Sequence, residues 1–286
     1  MATMRCRRLG TAILLATCLP VGGSHTALAA AAPAAAAAVP AVDKQFNGTQ
    51  PNEADYPFVV KLVKKGTGDP LCGGVAIDKQ WVLTAAHCVS KSVGGIADRV
   101  VPAGSSKDLR TFISYCHTGY SPGGDTKNDV ALLLVAGKPL VAWRGGVPKP
   151  THAWGKQEGF FSLGWGRPHL GTLGRSMPMR PAASNTSCTS RYAGQAVQAN
   201  EICAGSAESA PCLFDSGGPL FTAKEEQPGK WSAEIDLVGV VSKAADDCIN
   251  VGPAIFTGFG AADLKWLDDV RAGKTAVRNA SRKVCQ

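Results

Sequence analysis

Three short motifs place a histidine, an aspartate and a serine where they could share one reaction. His87 stands in TAAHC at the end of an apolar stretch, Asp129 opens the run DVALLL, and Ser216 lies in DSGGP. A serine hydroxyl is a weak nucleophile until a neighbouring base takes its proton. Histidine is the base whose ordinary pKa suits neutral pH, and a buried carboxylate can hold its tautomer. Each motif alone is typical of a structural residue or a turn, but together they predict a Ser-His-Asp triad.

The order of these residues along the chain narrows the choice of hydrolase. His, Asp, Ser is the chymotrypsin order, whereas subtilisins and α/β-hydrolases have other orders. An α/β-hydrolase would also need the motif GxSxG, and Phe214 occupies its first glycine position. The order therefore favours the first of these three architectures.

The composition is that of a globular protein. The chain has 286 residues, of which 45% are hydrophobic and 18% are charged, so it is too apolar to be disordered. Its formal net charge is +8, but the basic residues are scattered, whereas a nucleic-acid surface needs them clustered. We therefore expect no nucleic-acid partner.

Short apolar segments between turn residues must position the three motifs. Many short strands at regular spacing predict an all-β sandwich or barrel. The clearest segments are residues 58–63, 74–84, 129–136, 160–165, 237–242 and 254–256. Residues 261–270 differ, because their apolar side chains recur at helical spacing. They predict a short C-terminal helix, followed by a polar tail.

The first 44 residues resemble a leader rather than part of the fold. Residues 1–29 combine a basic start, a short apolar stretch and a small-residue cleavage site, which predict a secretory signal peptide. A membrane anchor and a lipoprotein site at Cys18 are the alternatives. Residues 30–44 form an Ala/Pro-rich propeptide or spacer. Removing residues 1–44 takes away four of the 30 basic residues and one of the 22 acidic ones, which leaves a net charge of +5.

Beyond the three motifs, the sequence resembles the trypsin/chymotrypsin family of serine endopeptidases, in a secreted bacterial form, from about Phe46 to Val270. The further motifs are CGG at 72–74, GWG at 164–166, ICAG at 202–205 and VS at 241–242. The resemblance implies an all-β fold of two six-stranded antiparallel β-barrels with a short C-terminal helix. The first barrel, residues 45–148, would carry His87 and Asp129, and the second, residues 149–260, would carry Ser216. Residues 261–286 would be the helix and a disulfide-tethered tail.

Eight of the ten cysteines remain after the leader, and an even number in an exported chain indicates disulfides. The family pattern implies three pairs, and some members, snake-venom serine proteases among them, tie a further cysteine to a C-terminal extension. The pairs that we expect are Cys72–Cys88, Cys188–Cys203, Cys212–Cys248 and Cys116–Cys285.

The resemblance assigns the oxyanion hole to the backbone N–H groups of Phe214 and Ser216. The family has glycine where this chain has Phe214. Glycine is favoured where the backbone needs an unusual conformation or approaches a ligand closely. We therefore expect lower activity than in relatives, or a restriction to substrates that fit around Phe214.

Activation in the family is a cleavage whose new amino group pairs with the acid before the nucleophile, which is Asp215 here. The matching stretch begins at Gln45, so we expect an activating protease to cut after Lys44. Gln45 is polar where relatives have a branched apolar residue, and an N-terminal glutamine can cyclise. The bond that is cut therefore stays open.

The specificity pocket departs from that of trypsin. Relatives that cut after Arg or Lys carry Asp six residues before the serine, where this chain has Ala210. By the same resemblance, Ala244 and Ala254 stand where trypsin and chymotrypsin have pocket glycines. Ser242, also at the pocket, matches the family serine that hydrogen-bonds the triad aspartate. These positions predict cleavage after small or medium apolar residues. The calcium loop of trypsins is shortened between residues 97 and 112, so we expect no metal and no cofactor.

These features predict a secreted, extracellular and monomeric serine endopeptidase that acts on proteins or peptides, with no membrane association after signal removal. Two other functions stay open. One is a catalytically impaired relative that acts as a secreted binding protein, and the other is an esterase or lipase on the same fold.

Overall fold

Six short strands of apolar residues form a first antiparallel sheet. They are β1 Val59–Val63, β2 Pro70–Ala76, β3 Trp81–Thr84, β4 Arg99–Pro102, β5 Phe112–Cys116 and β6 Ala131–Val135. Their order across the sheet is β4-β1-β2-β3-β6-β5. Val100 on β4 exchanges two backbone hydrogen bonds of 2.9 Å with Arg110, just before β5. This bridge joins the two ends of the order, so the sheet curls into a barrel.

This computed structural model describes residues 56–64, 70–90, 97–103, 105, 110–123, 127–137, 140, 148–152, 160–166, 177–179, 186–192, 197–207, 209–227, 230–245 and 252–285. All of them belong to one compact unit, Ala41–Gln286. The predicted signal peptide and spacer, residues 1–44, lie outside the described residues. The boundaries at 45, 148 and 260 stay predictions.

A second, larger sheet follows along the chain. Its strands are β7 Lys149–Pro150, β8 Phe160–Ser162, β9 Met177–Met179, β10 Glu201–Ala204, β11 Pro219–Gln227, β12 Lys230–Lys243 and β13 Ala254–Gly258. Six of them run in the order β10-β13-β12-β11-β8-β9, and the two-residue β7 pairs in parallel with β12. A short helix, α1 Thr186–Arg191, precedes β10 and is tied to it by the disulfide Cys188–Cys203. The predicted fold class is confirmed, with β7 as an addition.

The two sheets share one apolar core. A single cluster joins Phe58 and Leu132 of the first sheet region to Phe221 and Leu237 of the second. The rings of Phe58 and Phe221 meet edge to face at 5.9 Å. The buried Trp165 donates its indole N–H to the carbonyl of Val60 at 2.8 Å. Apolar burial and this directed bond hold the sheets in register, which positions residues that come from both.

The segment 74–84, predicted as one strand, is two strands in the structure. β2 ends at Ala76 and β3 begins at Trp81. The intervening Asp78, Lys79 and Gln80 are polar and at least partly exposed, and the N–H of Ile77 closes the turn on the carbonyl of Trp81 at 2.9 Å. The apolar residues on either side concealed this hairpin in the sequence.

The C-terminal residues form two helices, α2 Ala261–Arg271 and α3 Thr275–Val284. The tail expected to be merely polar is therefore helical. Gly273 makes the turn between the helices with φ +81°, a conformation that glycine adopts without strain. On α3, Arg278 lies 5.5 Å from the ring centroids of both Trp81 and Tyr115, and its Nε donates to the carbonyl of Val270 at 2.8 Å. No helix among the described residues is long and apolar enough to cross a membrane.

A disulfide fastens this helical pair to the first sheet. Cys116, the last residue of β5, is bonded to Cys285 at a sequence separation of 169. Both cysteines are buried, at 0% and 4% exposure. The structure also contains Cys72–Cys88. Cys212 is disulfide-bonded as well, and its expected partner, Cys248, lies outside the described residues.

We predict that the double substitution Cys116→Ser and Cys285→Ser lowers the free energy of unfolding by about 4–5 kcal/mol, because the bond closes a long loop in the unfolded chain. Urea unfolding of the oxidised proteins measures the difference. Arg278→Ala is a comparison that weakens the same helix contact without a covalent change, and its effect should be smaller. An unchanged midpoint in the double variant would contradict the prediction.

Candidate active site

A buried carboxylate forms the centre of the site. Asp129 lies just before β6, and its side chain is 4% exposed. The backbone N–H of His87 donates to Oδ1 at 2.9 Å, His87 Nδ1 lies 2.7 Å from Oδ2, and the hydroxyl of Ser242 donates to Oδ2 at 2.6 Å. Hydrogen bonds to the charged form are what make a buried carboxylate tolerable. Asp129 therefore reaches from the first sheet to Ser242 on the second.

His87 is presented by a single turn of 3₁₀ helix, Ala86–Cys88, that directly follows β3. Its side chain is 27% exposed. Because Nδ1 faces the carboxylate, that nitrogen carries the proton and Nε2 has the free lone pair. Burial lowers the pKa of His87, but the charge and the hydrogen bond of Asp129 raise it, and the net direction is upward from the ordinary value. Nε2 is thereby prepared to accept a proton.

Ser216 lies beside this pair, in the short segment 215–217. The backbone of this segment, which we call the strap, is hydrogen-bonded to both sheets. The carbonyl of Ser216 accepts the N–H of Gly73 at 2.7 Å, and the next residue, Gly217, donates to the carbonyl of Val241 at 2.7 Å. The Ser216 carbonyl is also 3.7 Å from Cys88 Sγ, which is itself 3.7 Å from His87 Nε2. Among the described residues, Ser216 Oγ and His87 Nε2 share no hydrogen bond, as is common when no substrate is bound.

Glycine is required next to Ser216. Gly217 has φ +77°, and a Cβ there would run into Thr84 Oγ1 and the carbonyl of Gly73. Thr84 itself donates to that carbonyl at 2.8 Å. The strap therefore lies directly on the strand that leads to His87, which explains the DSGGP motif physically.

Phe214 also has a left-handed backbone, with φ +77°. This region is uncommon for a bulky residue and carries strain. Within the described part of the chain, neither the N–H of Phe214 nor that of Ser216 donates a hydrogen bond. Two unused backbone donors thus flank Asp215. The structure gives Phe214 the conformation for which glycine is the ordinary choice.

Asp215, between them, is buried at 2% exposure. Its Oδ1 accepts the N–H of Gly166 and its Oδ2 accepts the N–H of Cys212, both at 2.9 Å. Burial raises the pKa of Asp215 to about 6, although these two bonds oppose the shift. A Cβ on Gly164 would collide with this carboxylate, which accounts for the GWG motif.

The expected pocket residues are divided between two apolar clusters. Ala210 is buried with Cys212 and Ala245, whereas Ala254 belongs to the core of the second sheet and the partly buried Ala244 packs against that core. A parallel backbone bridge joins Cys212 to Ala245 within the first of these clusters. The hydroxyl of Ser242 is used on Asp129. The described pocket positions carry no carboxylate.

Two expected site residues, Lys44 and Gln45, lie outside the described residues. One residue near Asp129 was missed by the sequence analysis: Thr257, whose hydroxyl donates to the Asp129 carbonyl at 3.2 Å. A threonine within an apolar strand has no distinguishing pattern. The atoms of Cys72, His87 and Cys88 come close enough for a metal site, but the two sulfurs form a disulfide and are not available as thiolate ligands.

Comparison with known proteins identifies the family of this chain. The family model for trypsin matches residues 45–266. A trypsin-like protease of Streptomyces glaucescens is 31% identical over 244 residues, covering 81% of this chain and 84% of the relative. The venom peptide isomerase heavy chain of Agelenopsis aperta is 30% identical over 220 residues, covering 67% of this chain and 86% of the relative.

A third relative, phenoloxidase-activating enzyme 1 of Spodoptera litura, is 25% identical over 271 residues, covering 80% of this chain and 67% of the relative. The family model spans most of the chain, and the bacterial relative is similar over most of its own length. The chain therefore belongs to the trypsin family of serine proteases.

Proposed function

We propose that the protein is a secreted serine endopeptidase that works through an acyl-enzyme on Ser216. The observation that carries this proposal is the Asp129–His87 pair, with Nδ1 2.7 Å from the carboxylate and Nε2 turned away from it. Family membership supports a protease hydrolase. The disulfides support an oxidising, extracellular destination, and proteins or peptides are the substrates.

In the proposed reaction, Ser216 Oγ attacks the scissile carbonyl while His87 Nε2 takes its proton. The N–H groups of Phe214 and Ser216 bind the oxygen that becomes negative. His87 then returns the proton to the leaving amine, and a water molecule activated by His87 releases the acyl group. Asp129 holds the imidazole tautomer and stabilises the imidazolium in both halves.

For specificity, we infer cleavage after small or medium apolar residues. Ala210 offers no counter-charge to Lys or Arg, and its neighbours Cys212 and Ala245 are apolar and buried. Desolvating a cationic side chain in such surroundings without a partner is strongly unfavourable. Ala244 and Ala254, at positions where the resemblance implies glycine, would narrow the pocket further.

The alternative, a secreted binding protein with impaired catalysis, is favoured by one observation, the φ of +77° at Phe214. Strain at Phe214 would lower the fraction of molecules in which the N–H groups of Phe214 and Ser216 both point into the oxyanion hole. The hydrogen bonds that join Asp129 to His87 and Ser242 favour the enzyme.

Activation would follow cleavage after Lys44 by another protease. The trypsin-family match begins at residue 45, which supports that bond. The amino group of Gln45 would then become the partner of Asp215. We further propose that the mature protein is a monomer without a cofactor.

We predict that a fluorophosphonate probe labels the chain beginning at Gln45 on Ser216, because His87 makes that hydroxyl nucleophilic. Mass spectrometry of the labelled peptide identifies the site, and Ser216→Ala is the control. Absence of label on a folded, correctly processed chain would favour the binding protein. Turnover of peptides, as against esters only, distinguishes the protease from the esterase or lipase.

We predict that Phe214→Gly raises kcat about tenfold, because removing roughly 1–3 kcal/mol of backbone strain increases the population with a working oxyanion hole. Phe214→Ala is the matched variant, since it removes the ring and keeps the Cβ. It should remain close to the original activity. If alanine and glycine were equally effective, the ring rather than the backbone would limit the reaction.

We predict that cleavage after Lys44 reverses the sign of the contribution that Asp215 makes to the pH dependence of the free energy of unfolding. Before cleavage the folded pKa of Asp215 is about 6, above the unfolded value, so its ionisation disfavours the folded state as pH rises from 4 to 6. Asp215→Asn should therefore stabilise the uncleaved chain at pH 7 by about 2–3 kcal/mol.

After cleavage the new amino group should lower this pKa, and the same substitution should destabilise the chain at pH 7. Urea unfolding at pH 4.5 and pH 7, in a Ser216→Ala background that prevents autolysis, measures both effects. A substitution effect of the same sign before and after cleavage would contradict the activation step.

A further inference from the structure

The Asp129 segment belongs to the first sheet by sequence, yet the second sheet holds its backbone. The hydroxyl of Thr257, on β13, donates to the main-chain carbonyl of Asp129 at 3.2 Å. Both residues are buried, at 0% and 3% exposure. This bond is separate from the one that Ser242 makes to the carboxylate, because it fixes the peptide rather than the side chain.

A second hydrogen bond between the two sheet regions is made by Asn128, the residue before Asp129. Asn128 has a left-handed backbone with φ 55°, which asparagine tolerates better than most residues. Its Nδ2 donates to the carbonyl of Gly119 at 3.1 Å within the first sheet region. Its Oδ1 accepts Nδ2 of Asn200, which directly precedes β10, at 3.0 Å. The side chain of Asn128 thus joins the two sheets.

The two hydrogen bonds, from Thr257 and from Asn200, come from one hydrogen-bonded unit of the second sheet region. The carbonyl of Asn200 accepts the N–H of Gly258 at 2.7 Å, and Gly258 directly follows Thr257 on β13. The second sheet region therefore presents the amide of Asn200, just before β10, and the hydroxyl of Thr257, on the neighbouring β13. They bond two consecutive residues that lie just before β6. A displacement of this unit would carry Asp129 with it.

Two hydrogen bonds make the position of His87 depend on that of Asp129. The backbone N–H and the Nδ1 of His87 bond different oxygens of the same carboxylate, at 2.9 Å and 2.7 Å. A small shift or rotation of the Asp129 peptide would lengthen one of these bonds. Sub-ångström misplacement of catalytic groups is enough to lower rates substantially.

We propose that Thr257 and Asn200 are positioning residues, which hold the Asn128–Asp129 peptide of the first sheet against the second sheet and so keep the Asp129 carboxylate on His87 during the reaction. This inference rests on the proposed protease function. A solely structural role is the competing explanation, because a buried hydroxyl needs a partner wherever it lies.

The test compares Thr257→Val, which removes the hydroxyl at nearly constant volume, with Thr257→Ser, which keeps it. Thr222→Val is the matched control, since Thr222 is a threonine of the same sheet that keeps 9% exposure and whose side chain bonds none of the described residues. Asn200→Ala tests the second link and serves if Thr257→Val does not fold. Each protein is assayed as the processed enzyme on a peptide substrate.

We expect Thr257→Val to lower kcat about tenfold, the factor that corresponds to one net hydrogen bond, with KM changed less than twofold. Thr257→Ser should restore most of the activity, Asn200→Ala should resemble Thr257→Val, and Thr222→Val should have no effect on kcat. Loosening Asp129 also removes part of what raises the pKa of His87. The NMR titration of its imidazole should therefore move to lower pH.

An unchanged kcat and His87 titration in both Thr257→Val and Asn200→Ala would overturn the proposal, as would an equal effect of Thr222→Val. A loss of kcat without any shift of the His87 titration would assign a solely structural role. If even the unsubstituted enzyme fails to turn over substrate, the proposed function fails instead. The NMR titration, which needs no turnover, still tests the positioning role in that case.

Discussion

The site depends on the burial of one negative charge. The carboxylate of Asp129 is nearly inaccessible to water, and an ion in such a place is strongly destabilising unless donors surround it. Two donors come from His87 and one from Ser242. The bonds that make the charge tolerable also fix the imidazole and join the two sheets. The stability of the fold and the geometry of the site therefore depend on the same contacts. Thr257, on β13 next to the β12 strand of Ser242, adds a hydrogen bond to the Asp129 carbonyl.

The strap around Ser216 is constrained in a different way, by its backbone. Gly217 has no room for a side chain, and Asp215 is buried beneath the strap on the N–H groups of Gly166 and Cys212. Phe214 then has to adopt a positive φ, although glycine would do so without strain. The backbone of Ser216 and Gly217 is held by hydrogen bonds to both sheets, whereas Phe214 is held in a conformation that glycine prefers.

Much of this was predictable from the sequence because motifs record steric demands. DSGGP reflects the absence of space at Gly217, and the apolar runs before His87 and after Asp129 gave the strands that carry them. The hairpin between β2 and β3 was missed because apolar residues lie on both sides of a short polar turn. The second C-terminal helix was missed because α3 is mostly polar. Its few apolar side chains, Val277 and Val284, pack against the core, and the disulfide of Cys285 holds the helix further. Thr257 and Asn200 left no signal, since their roles arise only when two distant strands meet.

The central claim is that the Asp129–His87 pair activates Ser216, and the pH dependence of Ser216 acylation tests it most directly. The rate of acylation by an activated ester should rise with pH through one ionisation. Its pKa should equal that of His87 from the NMR titration and should lie above the ordinary histidine value, as the charge of Asp129 requires. Acylation that is absent from the processed, folded chain, or that does not follow the ionisation of His87, would contradict the account.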